Sequence, residues 1–158
     1  MISHIEVCSR AKIESRKNIK DSAIISITNI GASDANIQQN NLNILRLKFD
    51  DIDPIWFAKI GANVDTTRIF NKALAEKIKK WTSNLIDDKQ IYTLIIHCEM
   101  GVSRSGAIAT AIQEFTGIKI ISEETLIPND YILEMMSNTF QHKETSRNFS
   151  FLNDFNDL

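Results

Sequence analysis

Residues 91–109 read IYTLIIHCEMGVSRSGAIA, and the way this stretch divides decides the fold. Its first seven residues are apolar almost throughout, the pattern of a central parallel strand covered on both faces. From Ser105 the pattern predicts a helix ending at Thr116, because Gly117 suits the left-handed conformation that closes a helix. Between the two lies a polar loop with Cys98, Gly101, Ser103 and Arg104. At such a strand–loop–helix junction the first amides of the helix have no internal partners and jointly favour an anion. Gly101 lets the loop curl so that successive amides turn toward one point. A sulfur placed there ionises more readily than a free thiol and becomes a nucleophile toward whatever the amides hold. Arg104 adds a planar fork that matches two oxygens of a tetrahedral oxyanion.

Working outward, strand patterns occur at His4 to Ser9, Ala23 to Thr28 and Asn43 to Phe49, with the fourth at Ile91 to His97. In the third, Leu45, Leu47 and Phe49 alternate with Arg46 and Lys48, giving one buried and one wet face. Thr66 to Leu85 places Ile69, Phe70, Ala73, Leu74, Ile78, Trp81 and Leu85 on one helical stripe. A further helix follows Pro128 and Asn129 and buries Ile132, Met135, Met136 and Phe140. Strands alternating with helices predict an α/β fold, a central mostly parallel sheet flanked by helices. The 158 residues, 43% hydrophobic, suit a single domain over 1–158, with 142–158 a loosely specified tail.

Eighteen basic against twenty acidic side chains, net charge −2, give no broad basic field to draw nucleic acid or an anionic membrane. No apolar run approaches the roughly 18 residues of a membrane span, and the first residues lack the apolar core of a signal peptide. Cys8 and Cys98 lie far apart in sequence and are read as reduced thiols. The expectation is a soluble cytoplasmic protein with no nucleic-acid or membrane partner. Cys8 alone reads as a structural thiol.

A cysteine and an arginine at this spacing coincide by chance in about one case in twenty. The full string H-C-x5-R-S-G, after a buried strand and before a helix, is far more specific. HCEMGVSRSG resembles the signature loop of the cysteine-dependent protein tyrosine phosphatase superfamily, dual-specificity branch, and the wider pattern resembles small bacterial predicted tyrosine phosphatases. The resemblance runs from about residue 5 to 140. It implies a phosphoric monoester hydrolase in which Cys98 attacks phosphorus to give a cysteinyl-phosphate. The amides of Glu99, Met100, Gly101, Val102, Ser103 and Arg104, with the Arg104 side chain, would hold the equatorial oxygens. Ser105 would assist the departing thiolate, and His97 would orient the loop and tune the sulfur. No metal and no cofactor is implied. The substrate would be a phosphorylated protein, phosphotyrosine first, or a small phosphoester.

The resemblance also implies an aspartic acid that protonates the leaving group. Asp50, Asp51, Asp53 and Asp65 are the candidates. Asp51 is chosen because it follows the third strand, shares the parity of Leu45, Leu47 and Phe49, and matches the strand-end aspartate of the bacterial group. Its separation from Cys98 is longer than is usual in dual-specificity relatives, and Asp65 fits that separation better. Against Asp65 stands its position before a helix, where aspartate is a favoured cap. The insert IDPIWFAKIGANV, residues 52–64, departs from the family pattern; Trp56 and Phe57 are expected to pack into the core rather than meet substrate. The rival readings are a binding module that reads phosphate without hydrolysing it, a sulfurtransferase or arsenate reductase sharing the C-x5-R loop, and a nucleotide or RNA phosphatase of the same superfamily.

Overall fold

A single five-stranded sheet of order β3-β2-β4-β1-β5, all parallel, organises the computed structural model, which describes residues 1–38 and 43–141. The strands are β1 (His4–Ser9), β2 (Ser22–Thr28), β3 (Ile44–Lys48), β4 (Thr93–Cys98) and β5 (Lys119–Ser122). The helices are α1 (Arg10–Ser15), α2 (Pro54–Lys59), α3 (Lys72–Ile86), α4 (Arg104–Thr116) and α5 (Asp130–Phe140). The apolar run becomes the central strand β4, where cover on both faces buries Leu94 to Cys98 in succession, while Tyr92 before it stays exposed. Alternation then divides the sheet. Ile5, Val7, Ile25, Ile27, Leu45, Leu47, Leu94 and Ile96 build the larger core with Ile78, Ile108, Ile112, Ile132 and Met136 of α3, α4 and α5. Cys8, Ile24 and Ile95 point the other way and meet Ile13 of α1.

The strands anticipated from sequence are present, and Leu45, Leu47 and Phe49 are buried as the alternation requires. The helix predicted from Thr66 is not continuous. Thr66–Arg68 is a short 3-10 turn, and α3 begins only at Lys72, capped by Asn71, whose Oδ1 accepts from the Leu74 amide at 2.9 Å. Ile69 and Phe70 are buried from an extended link rather than a helix face, with Phe70 edge-on to Phe49 at 4.9 Å between ring centres. Their burial continues the apolar period without continuing the helix. Within α3 the buried alanine is Ala75, and Ala73 is exposed. α4 ends as expected at Gly117 (φ 75°), whose amide bonds to the Gln113 carbonyl at 2.7 Å. α5 opens on Asn129 and buries Ile132, Met135, Met136 and Phe140. Trp56 is 55% exposed on α2, contrary to the expected core position, and Phe57 is half-buried against it. Six residues of α2 are too few to present a buried face, and Asp53 at its start serves as cap. The tail 142–158 lies outside the described residues. Among the described residues no helix is long and apolar enough to cross a membrane.

Candidate active site

In an all-parallel sheet every strand ends at the same edge, so residues just past the ends of neighbouring strands converge there. Here these are Ser9 at the end of β1, Asn29 after β2, Asp50 and Asp51 after β3, and the loop 99–103 after β4. Residues 99–103 form a run of bends without a hydrogen-bonded turn. Three carbonyls of this run are occupied: Glu99 O accepts from Arg10 N at 3.2 Å, Val102 O from Ile127 N at 3.3 Å, and Ser103 O from Asn129 N at 3.3 Å. Its amides are not. No backbone N–H from Glu99 to Arg104 donates to another described residue. Buried backbone donors are almost always paired in a folded chain, so a run of six amides without protein partners, those of buried Gly101 and Arg104 among them, beside a helix N-terminus forms a site with unused capacity for an anion.

Gly101 makes this course possible. Its φ is +71°, and a Cβ there would stand 2.4 Å from the Cys8 carbonyl carbon and 2.6 Å from the Ser9 nitrogen. The loop therefore lies directly on the backbone of β1, at an approach only glycine permits.

Cys98, 2% exposed, closes β4, and its Sγ is 3.0 Å from the hydroxyl of Ser105 in the first turn of α4. Ser103 occupies the N-cap position of α4 but does not cap it. Its hydroxyl donates instead to Asp51 Oδ1 at 2.9 Å. A serine cap contributes about 1 kcal/mol, so this hydroxyl is diverted from a stabilising role to hold a carboxylate over the loop. Asn129 acts twice: its Oδ1 caps α5 by accepting from Ile132 N at 3.1 Å, and its Nδ2 donates to the same Asp51 Oδ1 at 3.0 Å.

The four candidate aspartates thus separate by their partners. Asp50 pairs with Arg68 and accepts from the Ile30 amide at 3.0 Å. Asp53 caps α2 through Ile55 N and Trp56 N. Asp65 caps the 3-10 turn through Thr67, whose hydrogen bonds hold its carboxyl below the usual carboxylate range. Asp51 is the candidate that contacts the loop, and its Oδ2 has no partner among the described residues.

Arg104, 4% exposed, donates through NH1 to Asn29 Oδ1 at 2.6 Å and to the Phe49 carbonyl at 2.8 Å, while its Nε has no partner. His97 is 0% exposed on the face opposite Cys98, where Nε2 meets the Ser26 hydroxyl at 2.7 Å and Nδ1 is unpaired. Burial pushes the imidazole down to about 4, with the Cys98 backbone acting against that shift, so the ring is neutral near pH 7. It brings no charge to the site, and any influence on the sulfur runs through the backbone of Cys98. Cys8 pairs with His97 in the sheet register and shares that face, so the two free cysteines lie on opposite sides of the sheet. Burial raises the Cys8 thiol to about 11, consistent with its structural reading.

No protein-family model matches the chain, and no curated protein matches it. Sequence reasoning overlooked Asn29, Asn129 and the Phe49 carbonyl. The available signal was positional: Asn29 and Phe49 sit at the ends of apolar strands, where a parallel sheet collects its site residues.

Proposed function

We propose that this chain is a cysteine-dependent protein phosphatase that hydrolyses phosphotyrosine in proteins, with phosphoserine and phosphothreonine as further substrates, and works in the cytoplasm. The observation that carries the reading is the loop of six unpaired amides bounded by the Cys98 sulfur and by a buried Arg104 with a free Nε–H. These donors suit the three non-bridging oxygens of a phosphoryl group, and they strengthen as charge develops on them.

In the first step the sulfur of Cys98 forms a bond to phosphorus as the P–O bond to the leaving group breaks. The departing oxygen takes a proton from Asp51, whose Oδ1 is anchored by Ser103 and Asn129 and whose Oδ2 is free to carry it. In the second step water attacks phosphorus and returns its proton to Asp51, the S–P bond breaks, and the Ser105 hydroxyl stabilises the released thiolate. The Glu99 carboxylate, about half exposed beside the loop, disfavours polyanionic substrates such as inositol lipids. The free state of both cysteines agrees with a reducing compartment.

The test is hydrolysis of an aryl phosphate in the presence of a chelator, with a burst of phenol release and inhibition by vanadate. Cys98→Ser should reduce turnover by at least about a thousandfold. Retained turnover in that variant refutes the proposal, whereas vanadate binding by a wild-type protein without turnover supports the phosphate-reading module instead.

A further inference from the structure

Asn29 follows β2, is exposed at its own side chain, and makes the shortest contact of the buried Arg104 guanidinium, 2.6 Å from Oδ1 to NH1. The second anchor, the Phe49 carbonyl at 2.8 Å, is also uncharged. Among the described residues no carboxylate oxygen lies within 4.0 Å of any Arg104 nitrogen. The two acids that follow β3, close in sequence to the Phe49 anchor, are engaged elsewhere: Asp50 with Arg68 and the Ile30 amide, Asp51 with Ser103 and Asn129. Buried guanidinium groups are ordinarily matched by an anion, because an unmatched charge away from water is expensive. Here dipoles hold the group in place, no carboxylate of the described residues pairs with it, and Nε has no partner.

We infer that Asn29 is a positioning residue that orients Arg104 through a neutral acceptor, leaving the full guanidinium charge for an incoming phosphate-type oxyanion. The inference rests on the proposed phosphatase reading. Its content is the neutrality of the anchor. An aspartate at position 29 would make a shorter, stronger, charge-assisted bond to NH1 and would hold the fork as well as the amide does. It would also place a negative charge against the group that must attract a dianion, and Coulomb attraction within the new pair would compete directly with the ligand. A leucine would remove the anchor without adding charge.

A purely structural anchor and a charge-preserving one therefore predict opposite orders of oxyanion affinity. Vanadate inhibition and inorganic phosphate binding by calorimetry are measured for the wild type, Asn29→Asp and Asn29→Leu, with melting temperatures in phosphate-free buffer. The expected order is wild type tightest, Asn29→Leu next and Asn29→Asp weakest, the aspartate variant losing about tenfold or more relative to wild type. Asn29→Asp should melt at or above the wild-type temperature without phosphate and gain less when phosphate is added. In turnover it should act chiefly on KM, and Asn29→Leu, which loosens the fork, chiefly on kcat. Vanadate affinity of Asn29→Asp equal to that of wild type, or equal to or above that of Asn29→Leu, overturns the inference while leaving the phosphatase reading intact. A wild type that neither binds vanadate nor hydrolyses an aryl phosphate removes that reading, and the role of Asn29 with it.

Discussion

Replacing Gly101 by alanine adds one methyl group, and its effect can be worked out from the contact between the loop and β1. At φ +71° a Cβ costs about 1–2 kcal/mol through its clash with the adjacent carbonyl. The same Cβ meets the Cys8 carbonyl carbon at 2.4 Å, the Ser9 nitrogen at 2.6 Å and the Cys8 oxygen at 2.7 Å, where ordinary contact begins at 3.4 Å. About 1 Å of separation must be found. It cannot come from β1, which is hydrogen-bonded to β4 on one side and β5 on the other. The loop must lift instead, which strains the Arg10 N to Glu99 O bond and moves the amides relative to Cys98 and Arg104. A misplacement of about 1 Å at a reacting centre lowers rate by about a hundredfold. The expected outcome for Gly101→Ala is a loss of that order in kcat/KM on an aryl phosphate, with a fall in melting temperature of about 5 °C. Steady-state kinetics and a thermal melt on one preparation read both quantities. A variant within about twofold of wild-type rate would show that loop geometry is not what the activity uses, and the argument from the unpaired amides would fail.

Asp51→Asn should lower hydrolysis of alkyl phosphates by about 10²–10⁴-fold and of activated aryl phosphates much less, since a good leaving group needs little protonation. A pH–rate profile on both substrate types checks this, and the same pattern from Asp65→Asn would transfer the acid role to that residue. For His97 the fold binds the neutral ring, with the group lowered from 6.5 to about 4, so between those values the unfolded chain takes up a proton that the fold excludes. Stability is therefore complete above pH 6.5 and falls by about 3 kcal/mol as pH drops from 6.5 to 4. His97→Gln keeps a hydrogen-bonding partner for Ser26 without titrating, and urea melts at pH 7, 5.5 and 4.5 should show a flatter dependence than wild type. An unchanged slope would contradict the assigned burial of the imidazole.

The parts of the molecule that were legible in the sequence are those in which local chemistry and tertiary environment agree. The apolar run ending at His97 reads as an inner strand and Gly117 as a helix end, and both take those places. Less legible were elements held by few contacts of their own. α1 buries only Ile13, and β5 is a four-residue edge strand without full burial, so neither has a period to detect. The extension of α3 back to Thr66 failed for a different reason. Ile69 and Phe70 are buried by tertiary packing in an extended link, and periodicity cannot distinguish that from a helix turn. Asp51 lies against the loop, but parity with Phe49 is not the cause, because β3 stops at Lys48. Its placement comes from Ser103 and Asn129, contacts between segments that only the assembled sheet brings together.

Charged groups near the loop differ in what holds them. Several cations and anions around it are paired with each other: Arg10 with Glu14, Arg68 with Asp50, Lys48 with Asp34, Arg16 with Glu6. Glu99, on the loop itself, lies 3.9 Å from Arg10, whereas Arg104 and Asp51 are held by neutral groups alone, Asn29 and Phe49 O for the first, Ser103 and Asn129 for the second. Had Arg104 and Asp51 been paired with each other, each would have been more stable and neither would have been available, since a close pair at low effective dielectric holds its partners by several kcal/mol. On the proposed phosphatase reading, holding them with amides and hydroxyls leaves the guanidinium for an anion and the carboxyl for a proton. The fold therefore holds a buried guanidinium without a carboxylate within 4.0 Å among the described residues, an arrangement with little advantage for stability and, on the proposed reading, a direct one for binding phosphate.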